Sequence, residues 1–250
     1  MNYAPLVPHG DPPRYFTFAS LTALGVPHAS TTRHFDGATP FRDPSGPFRL
    51  DGASGLDDAG IDLSKAAYAR QMHGADVAER TAGGFAGEVD VLATTSPGVP
   101  LAVFTADCLA VTLYDADARA LVVAHVGWRG TVRGATESAV AALERAGGRA
   151  SRAVATIAPS IGPCCYEVDG PVIGAFAERF PERWNHWVAS AGPGHWMLDL
   201  WTANEELLAS AGVARERIET ARLCTACNPE LLFSYRKGNR GRLVTVAALP

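Results

Sequence analysis

No apolar run in this 250-residue chain approaches the roughly 18 residues that a membrane-crossing helix requires, so no membrane partner is expected. The N-terminus, Met1-Asn2-Tyr3-Ala4-Pro5, has no basic segment leading into an apolar core, so no secretory signal is read there. Lysine and arginine are scattered and the net charge is −4, which argues against a nucleic-acid surface while leaving room for local binding of small anions. Cysteine is scarce and odd in number, at five, whereas a secreted disulfide framework uses an even number; a reducing cytoplasm is the economical location. The seven histidines, at positions 9, 28, 34, 73, 125, 186 and 195, form no His-x-His pair, which excludes a copper cluster assembled from such pairs. Repeats, linkers and low-complexity segments are also missing. The remainder is ordinary: 47% hydrophobic and 19% charged residues, the balance of a globular protein with a sizeable core. A single domain over residues 1–250 is expected, acting as a monomer.

Strand signals fall at Tyr15–Phe18, Val26–Thr31, Val99–Phe104, Leu109–Tyr114, Ala120–His125, Ala153–Ile157, Leu231–Tyr235 and Leu243–Ala247. A loop-like stretch follows Phe35 as far as Pro47. Val132, Ala135, Ala139 and Leu143 share one face of a helix predicted from Val132 to about Ala146, which Gly147-Gly148 ends. Val172–Phe180 reads as a second helix, and Asp199 as the N-cap of a third running to Ala211. Strands and helices mixed in this way, with one clear hairpin, indicate an α+β fold rather than a regular parallel winding.

The richest feature is a triplet: His73 in Gln71-Met72-His73-Gly74, Cys108 in Thr105-Ala106-Asp107-Cys108, and His125 in Ala124-His125-Val126-Gly127-Trp128-Arg129-Gly130. Two imidazoles and a thiolate are a three-ligand set that leaves zinc an open fourth position, the mark of a catalytic site. If Ala116-Asp117 is a two-residue hairpin loop, the register continues to place Cys108 opposite His125, with Cβ atoms roughly 4.5–5.5 Å apart. Nothing in the residue spacing places His73. The plain alternative is three unrelated core side chains.

Together with Ile161-Gly162-Pro163-Cys164-Cys165-Tyr166-Glu167-Val168, Asp199-Leu200-Trp201 with Asn204, Cys224-Thr225 and Phe233-Ser234-Tyr235-Arg236, these motifs resemble the bacterial laccase-domain family. That family is also called the multicopper polyphenol oxidases and is now mostly described as purine nucleoside phosphorylases. The resemblance runs in order from about residue 26 to the C-terminus. It implies two mixed β-sheets packed face to face with helices outside, in α/β/β/α layers. It also implies zinc on His73, Cys108 and His125, phosphorolysis of adenosine, inosine and methylthioadenosine, and adenosine deamination. The chain departs from the family pattern at Leu109, where a proline is usual, at His34-Phe35-Asp36-Gly37, and near Phe48–Ala53. The last two bear on substrate preference.

Zinc lowers the pKa of water towards 7, the chemistry that deamination of a purine needs. Asp107 is a candidate proton shuttle if a turn rather than strand alternation directs it to the Cys108 side. Gly127, Arg129 and Gly130, where a strand becomes a helix, are candidates for phosphate, with Arg33 and Arg236 as further pocket residues. The competing reading there is a tight turn with a core tryptophan and a paired arginine. Copper at the same three ligands is a possibility, because Cu(II) tops the divalent affinity order; this keeps polyphenol oxidation in view. A third alternative is a cysteine hydrolase or deamidase, with Cys108 as nucleophile and His125 as base. Cys164-Cys165 and Cys224-x-x-Cys227 lack the paired Cys-x-x-Cys repeat of a structural zinc site, so a shaped turn is expected there.

Overall fold

Every residue of Leu109–Asp115 and Ala120–Val126 is buried, so these strands must be covered on both faces. In the computed structural model, which describes residues 3–35 and 55–250, they sit at the centre of a six-stranded sheet. Its order is Ile218–Thr220, Val154–Ile157, Leu109–Asp115, Ala120–Val126, Val91–Thr94, Val77–Glu79. One face packs on the helices Ala135–Arg145, Gly170–Arg179 and Leu200–Ser210 through Val111, Val122, Leu143, Phe176 and Leu208. The other face meets a seven-stranded sheet through Phe16, Leu101, Val103, Tyr114, Leu121 and Val123. That second sheet is ordered Leu6–His9, Tyr15–Phe18, His28–Thr31, Leu243–Ala247, Leu101–Thr105, Ala67–Tyr68, Gly84–Phe85.

Both sheets mix parallel and antiparallel pairs, so the α+β architecture of two mixed sheets face to face stands. Among the described residues, the outer face of the seven-stranded sheet is covered by the 3-10 turns Asp57–Ala59 and Leu63–Lys65, with Leu56, Ile61 and Leu63 on Phe104 and Val244. A third sheet, Glu167–Asp169, His195–Leu198 and Val188–Gly192, was not anticipated. The predicted loop after Phe35 and the segment at 48–53 lie outside the described residues. Among the described residues, no helix is long and apolar enough to cross a membrane.

Three local expectations are corrected. The hairpin loop has four residues, not two: the last pair is Asp115 with Ala120. Asp115 Oδ1 accepts from Asp117 N–H at 3.0 Å, and Arg119 takes a φ of 49°, which together close a longer turn. The helix predicted from Val132 begins instead at Trp128 and is cut by Gly134 at φ 87°, giving Trp128–Arg133 and Ala135–Arg145. Leu231–Tyr235 is a turn rather than a strand, because Leu231 and Leu232 N–H both donate to Asn228 O and Ser234 N–H donates to Asn239 Oδ1.

The helices are tied to one another by Asn204, which is fully buried. Its Nδ2 donates to Thr131 Oγ1 at 3.1 Å and Leu200 O at 2.9 Å, while its Oδ1 accepts from Thr136 at 2.5 Å. The turn after His125 is thereby fixed against Leu200–Ser210. Asn204→Ala should cost about 2–4 kcal/mol in chemical denaturation, because it strands buried hydroxyls that each carry a penalty of about 1–3 kcal/mol. A loss below about 0.5 kcal/mol would show that this network does not hold the helices.

Candidate metal centre and adjoining pocket

Between Thr105 and Leu109 the chain leaves the seven-stranded sheet and enters the six-stranded one. Asp107 turns this corner at φ 94°, so strand alternation does not govern its direction. Cys108 emerges at the seam. The corrected register carries Leu109 opposite Val126 and hence Cys108 opposite Gly127, two residues from where the shorter loop would have put it. A shift of two preserves which face a side chain points to, so Cys108 and His125 still meet, now diagonally. Gly127 is what lets them: a Cβ there would lie 2.9 Å from Cys108 Sγ and 3.1 Å from His73 Cδ2.

His73 arrives on a loop pinned to both sheets. Gln71 mimics a strand residue, donating to Phe104 O at 2.7 Å and accepting from Phe104 N–H at 2.8 Å. Arg133 donates to His73 O at 3.0 Å. Asp90, 1% exposed, completes the anchorage. It immediately precedes Val91–Thr94, and its carbonyl accepts from His125 N–H at 2.8 Å. Its Oδ1 accepts from His125 Nδ1 at 2.8 Å and His73 N–H at 2.9 Å; its Oδ2 accepts from Met72 N–H at 3.0 Å and Gly74 N–H at 2.7 Å. One carboxylate therefore orients both imidazoles.

The donor atoms of His73, Cys108 and His125 all lie within 4.8 Å of one another, with the two rings edge to face at 4.8 Å. With Nδ1 held by Asp90, His125 turns Nε2 to the centre, as the outer partner of a metal-ligating histidine does. This N2S set, open on one side, fits a zinc ion. Burial pushes the Cys108 thiol up, but the charge and hydrogen bonds of His125 and His73 outweigh it and bring it down to about 6. Burial likewise disfavours a charged His125, yet the Cys108 thiolate and Asp90 raise it to about 9. The ion-free pair at neutral pH is thus thiolate and imidazolium.

Asp107, buried, accepts from Thr225 Oγ1 at 2.6 Å and from Arg236 N–H at 2.7 Å. Arg236 donates in turn to Glu167 O at 2.9 Å and lies over the Tyr166 ring at 5.3 Å. Burial raises the Tyr166 hydroxyl well above its usual range; the charges of Cys108 and Asp107 add to this and those of Arg236 and Arg129 oppose it. Tyr166 also lines a hollow of about 580 Å³, together with Trp128, Glu167, Asp169, His195 and Arg236 among others. That volume lies in the usual range for a small-molecule pocket.

Arg129 stacks over Trp128 at 4.4 Å and is exposed, while Gly130 is buried against Gly74 O and Ala135. Arg33 is not brought to this place. Its guanidinium donates to Pro229 O, lies over Phe233 at 5.4 Å, and lines a separate hollow with Asp11, Arg14 and His34. Asp90 was missed from the sequence, although an acidic residue heading the apolar run Val91-Leu92-Ala93 is a signal that could have raised it.

The family model described as multi-copper polyphenol oxidoreductase laccase matches residues 53–250. Purine nucleoside phosphorylase YlmD of Geobacillus stearothermophilus is 35% identical over 187 residues, 70% of this chain and 68% of that protein. Adenosine deaminase RL5, from an unknown prokaryotic organism, is 35% identical over 159 residues, 63% of this chain and 61% of that protein. The crystal structure of the hypothetical protein YfiH of Bacillus licheniformis superimposes with a TM-score of 0.85 at 26% identity, covering 99% of this chain and 100% of that one.

Two measurements test the centre. Asp90→Asn turns one acceptor into a donor facing backbone N–H groups, so zinc affinity should fall about 10–100-fold in a competition titration. Burial opposes ionisation of Asp90, but its hydrogen bonds from His125, Gly74 and Met72 win and depress its pKa. Its stabilising effect on the ion-free protein is therefore present above about pH 4 and lost as the pH falls through the lower folded value; Asp90→Asn should remove that acid limb. Second, an entering ion needs neutral His125 but finds Cys108 already ionised. Calorimetry near neutral pH, in buffers of differing ionisation enthalpy and on protein carrying Cys227→Ser so that only the ion taken by His73, Cys108 and His125 is counted, should report about one proton released per ion, fading as the pH passes about 9. Release of two protons would contradict the thiolate–imidazolium assignment.

Proposed function

The chain belongs to the laccase-domain family of enzymes, and on that premise we propose that it is a zinc-dependent purine nucleoside phosphorylase acting on adenosine, inosine and methylthioadenosine, with adenosine deamination as a second activity. The observation that carries this reading is the convergence of His73, Cys108 and His125, oriented by Asp90, with Arg236 reaching from Asp107, the neighbour of Cys108, to the lining of the hollow.

Zinc held by the three donors supplies Lewis-acid chemistry at the edge of the pocket. The chain's residues do the rest. Arg236 and Arg129 attract the phosphate dianion, while Gly127 and Gly130, both buried, serve the turn that packs against Cys108, His73 and Gly74. Charge on the side chains carries this attraction, because the six-residue helix from Trp128 contributes little dipole. Tyr166, kept protonated, offers a hydroxyl donor at the boundary between metal and pocket. Asp107 has both oxygens engaged, which supports a positioning role towards Arg236 over proton shuttling. This reading includes a monomer in a reducing cytoplasm, which the odd number of cysteines suits. The same donor set accepts copper(II), the source of any weak phenol oxidation.

One observation favours a second reading. Asp90, His125 and Cys108 form a line whose thiolate and imidazolium are those of a cysteine nucleophile and its base. His73, a third donor with no place in that mechanism, favours the metal.

Incubation with the three nucleosides, with and without phosphate, should give phosphate-dependent base release by chromatography. His73→Ala and Cys108→Ala should each lower it about 1000-fold, the several kcal/mol that a Lewis acid provides. Arg129→Ala should raise the KM for phosphate more than it lowers kcat. Zinc should protect Cys108 from iodoacetamide. Turnover that survives chelation but not alkylation would replace the phosphorylase reading with the cysteine one.

A further inference from the structure

The remaining four cysteines, whose thiols have no part in the proposed activity, come from two turns. The first turn is closed by Cys165 and Tyr166 N–H, which both donate to Gly162 O at 3.0 Å. The second begins at Cys224, which bridges Ser160 in parallel register, and is held by Asn228 Nδ2 donating to Cys224 O at 2.8 Å. Thr225 N–H donates to Ser160 O at 3.1 Å, so the two turns are fastened side by side. Their thiols converge: the sulfurs of Cys164, Cys165, Cys224 and Cys227 all lie within 4.8 Å of one another.

Cys227 Sγ is 3.3 Å from both Cys164 Sγ and Cys165 Sγ. A disulfide would need one of these separations to be about 2.05 Å and would leave the other sulfur aside. Four sulfurs each about 2.3 Å from a common tetrahedral centre stand about 3.8 Å apart, a value that the observed range brackets. Gly162 N–H points at Cys224 Sγ at 3.2 Å, the hydrogen bond that supports a ligating thiolate. The absent Cys-x-x-Cys repeat counts against such a site in sequence, but here the fold brings a vicinal pair and a Cys-x-x-Cys pair to one point.

We propose that Cys164, Cys165, Cys224 and Cys227 form a second, closed metal site that takes a thiophilic d10 cation, zinc foremost, with release of thiol protons on binding. Its role is structural. The cation staples the 162–166 turn to the 224–227 turn, and the first of these carries Tyr166 and the Glu167 carbonyl that receives Arg236. Cys164 and Cys165 also line the pocket, so the site stiffens one wall of it.

The test removes the first centre and asks whether metal remains. Protein carrying both His73→Ala and Cys108→Ala, purified without chelator, should retain one zinc per chain by elemental analysis and native mass spectrometry, and adding Cys227→Ser should release it. Cobalt in place of zinc should show the intense sulfur-to-metal charge-transfer bands of tetrahedral thiolate coordination. A thiophilic chelator should lower the melting temperature of the His73→Ala, Cys108→Ala protein and leave the Cys227→Ser version unmoved. Protein that takes up no metal on zinc dialysis while four thiols titrate freely would overturn the proposal, as would a mass about 2 Da low from a disulfide in freshly purified protein. Because the first centre is already disabled, these outcomes do not depend on whether it supports phosphorolysis.

Discussion

The carboxylate of Asp90 has no solvent to neutralise it, and four donors take the place of water: the His125 ring and the backbone N–H groups of Met72, His73 and Gly74. A buried charge satisfied in this way is rigid, because each donor that moves away leaves an unpaired ion in a low-dielectric interior. That rigidity passes directly to the site. His125 is held by its outer nitrogen and His73 by its own backbone, so the two imidazoles cannot drift apart without breaking the same carboxylate's shell. The imidazole of His125 is in turn held charged in the ion-free chain by Asp90 and the Cys108 thiolate, against the penalty of burial. The interaction that builds the centre thus also sets its electrostatics.

The seam between the sheets explains where the centre lies. Two sheets packed face to face leave few places where a polar ligand can be both close to the core and open to a pocket; the strand crossover at 106–108 is one. Leaving one sheet for the other requires a backbone corner, and Asp107 makes it with a positive φ. The corner frees Asp107 from strand alternation, so its carboxylate reaches Thr225 and Arg236 while the next residue presents sulfur to the histidines. Gln71 secures the facing loop to Phe104 on the departing strand, just before the corner.

What could be read from the residues follows from this construction. The strands that enter and leave the site are continuous apolar runs, and their existence was legible to within two residues at each end. The hairpin register was not, since the side chain of Asp115 and the left-handed Arg119 build a four-residue loop that residue types alone do not distinguish from a two-residue one. The error moved Cys108 by two places and left its face unchanged, because side-chain direction in a strand has a period of two. Leu231–Tyr235 looked like a strand because all its side chains but Ser234 are apolar or aromatic. Its backbone is spent instead on turn hydrogen bonds that deliver Arg236 N–H to Asp107. Asp90 left only a weak signal, for the opposite reason: a single acid heading an apolar run is also common on surfaces, and only tertiary packing makes it a buried anchor.

A thiolate and an imidazolium with donor atoms within 4.8 Å of each other suit two chemistries, a nucleophile with its base or a pair of metal ligands. The difference lies in what surrounds them. A nucleophile requires a free approach to sulfur and an oriented acid, and it gains nothing from a second imidazole whose backbone is pinned at both its N–H and its carbonyl. A cation gains a third donor already in position and, beside it, a wall formed by Tyr166 and Arg236. Arg236 joins the two: its N–H donates to Asp107, the neighbour of Cys108, and its guanidinium lies over Tyr166 in the pocket lining. A cation on the three donors would displace the His125 proton and leave the thiolate as its partner, so filling the set would change the charge that the neighbouring Tyr166 hydroxyl meets.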